Sequence, residues 1–156
     1  MTKPSKTALF AAAKTWNARA IRELLADAPG LIAVRDPRSR QALHLACSVK
    51  PGTPGTQELK RGANVDNCLF AAAWNDNGTM LRGLLKSART IDESQEGAPV
   101  LIAAIRWRKL EALRVLMSAG ADVSRQDAKG HDALFHARAR KLPAAVIARL
   151  AALRRR

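Results

Sequence analysis

Acidic side chains are scarce in this sequence. Thirteen Asp and Glu stand against 27 Lys and Arg, which leaves a formal charge of +14 on 156 residues and a pI near 11.2. Such a chain repels its own copies and attracts anions, and nucleic acid, anionic lipid or an acidic protein surface would all answer to that field. Aromatic residues are equally sparse, at 4%, so the core must be built from Ala, Leu, Ile and Val. Small side chains of that kind suit helices whose axes approach to roughly 8–10 Å. There are two cysteines, Cys47 and Cys68, too few for a disulfide framework, and a reduced, buried role is expected of them. No apolar run reaches the roughly 18 residues that a bilayer-spanning helix needs. The first residues are basic, but Lys14, Asn17 and Arg19 soon interrupt the apolar stretch after them, so a secretory signal is not expected and a cytoplasmic address is.

Signatures of chemistry are missing too. The stretch from Lys50 to Gly55 holds glycines but lacks the preceding strand and the Gly-Lys-Ser/Thr ending of a phosphate-binding loop. The carboxylates are scattered, and Asp27 and Asp36 read as connection residues. His44 and Cys47 share a helix face at i and i+3, an arrangement a metal could use, yet no third and fourth ligands appear at zinc spacing. His131 and His136 flank a helix start and read as solvated surface residues. Neither cysteine has a base in register to activate it. The expectation is a single domain with no catalytic activity, no cofactor and no metal.

What is present is a repeat. Residues 100–130 read as two short helices, the second placing Leu110, Leu113, Leu116 and Met117 on one stripe of a 3.6-residue helix, with Gly120 closing it. A ten-residue helix is marginal alone, so its apolar stripe needs a partner. A Leu-x-Ala-Ala signature recurs at Leu9, Leu69 and Leu101 and, degraded, at Leu43 and Leu134, with spacings of 34, 26, 32 and 33 residues along the chain. An aliphatic pair comes after three of them, Leu24-Leu25, Leu84-Leu85 and Leu116-Met117, and Leu150 stands alone after the last. A period near 33 with one helical pair per period predicts a solenoid.

The unit resembles the ankyrin repeat, whose pattern runs D-x-x-G-x-T-P-L-H-x-A-A, then a leucine run, then G-A-D-V-N. Asp127, Gly130 and Leu134 match it in one copy, and Gln41-Ala42-Leu43-His44 in another. Gly62-Ala63-Asn64-Val65-Asp66 and Gly120-Ala121-Asp122-Val123 match at two unit ends. The resemblance covers about residues 5–152 and implies an all-α, ankyrin-type α-solenoid of about five helix-turn-helix units, near 5–35, 36–65, 66–92, 93–125 and 126–156. Unit two is irregular. Residues 50–57, where its second helix belongs, hold two prolines and two glycines, which cost a helix about 3 and 1 kcal/mol each. Two readings stay open there: a native loop in place of the helix, or a missing segment. Elsewhere Thr7, Asn67 and Asp132 are the expected N-caps, and residues 91–97 the leading hairpin of unit four.

The resemblance implies a backbone-bonding structural role for His44, and recognition of partners by hairpin tips and the exposed ends of first helices lining a concave groove. Carried over by position, those places hold Arg38, Arg40, Trp74, Asn75, Arg106, Trp107, Lys129 and Arg140, with Lys3, Lys6, Lys14, Glu96 and His131 beside them. Trp74 and Trp107 fall at neighbouring places in successive units and are either paired interface anchors of the kind hot spots favour or space-fillers between helices. Arg19, Arg22, Arg82, Lys86, Arg89, Lys109 and Arg114 read as the solvated face of second helices. The closing Arg154-Arg155-Arg156 reads as a frayed tail or a tether to phosphate. The function expected is a protein-protein interaction module for an acidic partner. Nucleic-acid binding is the alternative, although no recognition helix of known docking geometry is visible.

Overall fold

The computed structural model describes residues 4–15, 17–38, 40–47, 68–86, 88, 91, 92 and 94–155. Residues 50–57, Gly62 to Asp66, Asn67 and Lys3 fall outside them, and with them both readings of unit two. The described chain is mostly helical, with very little strand. Its α-helices are α1 (Lys6–Lys14), α2 (Ala18–Asp27), α3 (Ala42–Cys47), α4 (Cys68–Trp74), α5 (Gly78–Leu85), α6 (Val100–Arg106), α7 (Leu110–Ser118), α8 (Ala133–Ala139) and α9 (Ala144–Leu153). A 3-10 turn, Pro29–Ala33, comes after α2, and two-residue strands β1 (Ser94–Gln95) and β2 (Ala98–Pro99) precede α6.

The helices pack in two layers. The first helices contact one another in chain order, α1 with α3, α3 with α4, α4 with α6 and α6 with α8, while α2, α5, α7 and α9 each back the first helix of their own pair. The signature leucines lie between layers: Leu9, Leu43 and Leu69 are fully buried, and Leu101 and Leu134 are 1% and 8% exposed. The alanine three residues on, in Ala46, Ala72, Ala104 and Ala137, is buried as well.

One backbone bond repeats in four pairs. The amide eight residues after the signature leucine donates to the carbonyl three residues after it, as Asn17 to Ala12, Asn77 to Ala72, Lys109 to Ala104 and Leu142 to Ala137, at 2.9–3.0 Å. The turn so closed needs a left-handed residue before that amide, and Asp76, Arg108 and Lys141 hold φ of 52°, 57° and 51° there. No glycine marks these places, so the turns are invisible to a search for glycine.

The caps partly depart from expectation. Helix α1 starts a residue before Thr7, because Ser5 Oγ accepts the Ala8 amide at 3.2 Å. Asp132 caps α8, accepting from Phe135 at 2.8 Å. Asn77 caps α5 and advances its start to Gly78. Helix α7 has no capping side chain of its own at Lys109. The Asp76 carboxylate of the preceding unit does that work, accepting the Ala112 amide at 2.8 Å. An N-cap contributes about 1 kcal/mol, and a left-handed alanine costs roughly another. Asp76→Asn therefore leaves stability near wild type, Asp76→Gly lowers it by about 1 kcal/mol and Asp76→Ala by about 2. Urea unfolding of the three variants checks the order, and equal losses in all three would refute the cross-unit cap.

Aspartates also hold the connections in front of first helices. Asp36 Oδ1 accepts the amides of Arg38 and Arg40, both at 2.9 Å, and Asp127 Oδ1 accepts those of Lys129 and His131 at 2.9 and 3.0 Å. Asp122 accepts the hydroxyl and the amide of Ser124 at 2.6 and 2.8 Å. These bonds favour the charged form. The Arg40 amide holds Asp36 below the usual carboxylate range, the Ser124 hydroxyl does so for Asp122, and the His131 amide heads the causes that bring Asp127 down to about 2. A depressed folded pKa gives stability that is complete above the unfolded value of about 3.9 and lost as pH falls through the folded value. The melting temperature tracked by circular dichroism should therefore fall steadily below about pH 4. A rise on acidification would contradict this origin.

The hairpin leading unit four spans residues 94–99, shifted toward α6 from the expected 91–97. Ser94 pairs with Pro99 and Gln95 with Ala98, around Glu96 and Gly97 at φ of 51° and 72°, the paired left-handed residues of a type I′ turn. Gly97 then touches unit five, its carbonyl accepting the Ala128 amide at 2.8 Å. A Cβ on Gly97 would meet that of Ala128 at 2.9 Å.

Candidate interaction surface

The two tryptophans come together. Trp74 closes α4 and Trp107 sits just past α6, and because α4 and α6 are neighbours their rings meet edge to face, with centroids 4.9 Å apart at 85°. Trp107 is half-buried and also meets the buried Phe70 edge-on at 6.4 Å. It fills space. Trp74 does not, since 55% of it is exposed. Lys109 Nζ sits 5.6 Å from the centroid of the Trp74 ring, within reach of a cation-π attraction worth about 0.5–1 kcal/mol at an exposed site.

The surrounding charge is mostly positive. Arg106, Arg108, Arg140 and Lys141 are exposed in or beside the turns after α6 and α8. Arg108 Nη1 donates to the Arg140 carbonyl at 2.8 Å, joining one turn to the next. Asp76, the acidic residue in the neighbouring turn, has one carboxylate oxygen already engaged by the Ala112 amide.

The expected site residues divide between the two ends of the first helices. Trp74, Asn75, Arg106, Trp107 and Arg140 lie where first helices end, whereas Arg38, Arg40 and Lys129 lie in the connections before α3 and α8. Seven helical residues at 1.5 Å each separate those ends by roughly 10 Å. Arg38 and Lys129 are exposed. Arg40 is engaged, its Nε and Nη2 donating to Asp36 Oδ2 at 2.9 and 2.8 Å. Asn75 is a brace, its Nδ2 donating to the carbonyls of Cys47 at 3.1 Å and Ala71 at 2.9 Å, which ties α4 to α3. Sequence reasoning missed Arg108 and Lys141 and placed Lys109 on a solvated second helix. The signal that finds them is their fixed offset from the signature leucine.

Of the two histidines read as solvated, His136 departs from that reading and His131 keeps a partly exposed side chain. His136 Nε2 lies 2.8 Å from Asp127 Oδ2, with its side chain only 14% exposed, and His131 stacks on Phe135 with ring centroids 3.8 Å apart. His44 Nδ1 accepts the Gln41 amide at 3.4 Å in the first turn of α3. Cys47 and Cys68 are buried and are not joined in a disulfide. Interaction with Cys47, and after it burial, pushes the Cys68 thiol well above its ordinary range, and the opposing pull of His44 is weaker. A thiol held protonated is a poor nucleophile. Arg154 Nη1 pairs with Asp132 Oδ2 at 2.8 Å, so the basic tail begins tied to the cap of α8. Among the described residues, no helix is long and apolar enough to cross a membrane.

No protein-family model matches the chain, and no curated protein matches it.

Proposed function

We propose that the chain is a non-catalytic, ankyrin-type solenoid module that binds an acidic protein segment. Support for the architecture comes from first helices packed in chain order and from one turn bond recurring at the same offset in four pairs. The observation that carries the function is the Trp74-Trp107 pair. An indole more than half exposed, propped by a second indole and with Lys109 near its ring, offers an apolar anchor beside a cation, and Arg106 is exposed one residue before Trp107. Aromatic and arginine side chains are those in which interface energy concentrates. Charge reversal at these cations should mainly slow association, because rim charges steer encounter.

Fluorescence anisotropy tests the reading with a labelled peptide rich in Asp and Glu beside a DNA oligonucleotide of equal charge. The peptide should bind in a manner sensitive to Trp74→Ala and Arg106→Glu. Tighter binding of the oligonucleotide, with a salt dependence set by the phosphates contacted and no response to Trp74→Ala, would overturn it in favour of nucleic acid.

A further inference from the structure

We propose that Asp127, His131 and His136 form a binding site for a divalent transition-metal ion of the zinc class. Their candidate ligand atoms all lie within 4.8 Å of one another. Zinc bonds of about 2.0–2.1 Å place tetrahedral ligands about 3.3 Å apart, so His136 Nε2 and Asp127 Oδ2, at 2.8 Å, need only a small opening. The His131 ring nitrogen lies within 4.8 Å of the other two donor atoms and needs to close by up to about 1.5 Å to reach tetrahedral spacing. The side chain that must travel is the accessible one, at 37% exposure against 8% for Asp127 and 14% for His136. The same exposure leaves an entry path and a side open to water as fourth ligand.

The surroundings orient the donors. Asp127 Oδ1 is engaged by the amides of Lys129 and His131, which turns Oδ2 toward His136. The His131 ring lies flat on Phe135, 5° from parallel, so it can slide toward the carboxylate without leaving the stack. Outer contacts of this kind fix ligand orientation in metal sites. Unit two supplies an internal comparison. There the same aspartate turn faces the guanidinium of Arg40, a permanent cation, whereas unit five faces its aspartate with two imidazoles. Two imidazoles and a carboxylate suit zinc and its transition-metal neighbours and do not suit magnesium or calcium.

Calorimetric titration of the full chain with zinc chloride tests this, alongside NMR of the imidazole signals. The expected result is binding of one zinc per chain with shifts at His131 and His136, and none on adding magnesium. His131→Ala, at an exposed position, and Asp127→Asn, which keeps an acceptor for the turn amides, should each weaken zinc binding at least about tenfold while the far-ultraviolet dichroism stays unchanged. His136→Gln provides a third variant that keeps a hydrogen-bonding group toward Asp127. Absence of binding at micromolar zinc would overturn the proposal. So would zinc shifts confined to His44, which would locate the ion near the buried thiols, or an affinity indifferent to all three substitutions.

Discussion

Leu101→Ala lowers the unfolding free energy by about 2–5 kcal/mol, a large share of the roughly 5–15 kcal/mol that holds a typical domain together. Leu101 is 1% exposed, and α6 is packed by α4 on one side, α8 on the other and α7 behind. A truncation there leaves a cavity that three helices would have to collapse to fill. The same change at Leu134 costs less. That leucine is 8% exposed, and among the described residues its helix, α8, packs against one first helix, α6. In a stacked array each unit draws stability from its immediate neighbours, so position in the row sets the size of the loss. Urea unfolding of the two variants should show Leu101→Ala as the larger. Equal losses, or a larger one at Leu134, would mean that the units do not support one another in the order of their contacts.

On the proposed reading, Trp74→Ala should reduce affinity for an acidic segment by roughly 30-fold or more, the equivalent of a hot spot worth about 2 kcal/mol. Its effect on stability is far smaller, because more than half the ring already faces water and the main loss is the edge-to-face contact with Trp107, worth about 0.5–1.5 kcal/mol. Trp107→Ala behaves differently. That ring is half-buried and touches both Phe70 and Trp74, so folding and binding are lost together. The contrast separates an anchor from its support. Binding measured beside thermal unfolding checks it, and a Trp74 variant that binds normally would remove the indole pair from the interface.

The recurring leucines and alanines were legible in the sequence because burial between two layers demands the same residue types at each period. The cap at Asp132 and the hairpin around Glu96-Gly97 were legible because each is a local bond between near neighbours. Less local features were not. The turns at Asp76, Arg108 and Lys141 carry no glycine, so only their shared backbone bond reveals them. The cap that Asp76 places on α7 spans 36 residues. A second-helix start with no capping residue of its own was the available sign of it. His136 meets Asp127 across a turn and a full helical turn, which fixed-spacing ligand patterns do not include. The division of the basic stripe between two ends of the first helices was hidden for a geometric reason. Position within a repeat says which helix carries a residue, and only helix direction says which end of the row it decorates.

On the proposed reading an acidic partner is met where the first helices end, at Trp74 and Trp107, and not at the opposite edge. Two-dimensional NMR of the labelled chain titrated with an Asp- and Glu-rich peptide measures this most directly. The indole signals of Trp74 and Trp107, with the amides of Arg106 and Lys109, should move first, while those of Arg38 and Lys129 stay in place. Early shifts at Arg38 and Lys129 with the two indoles unmoved would contradict it.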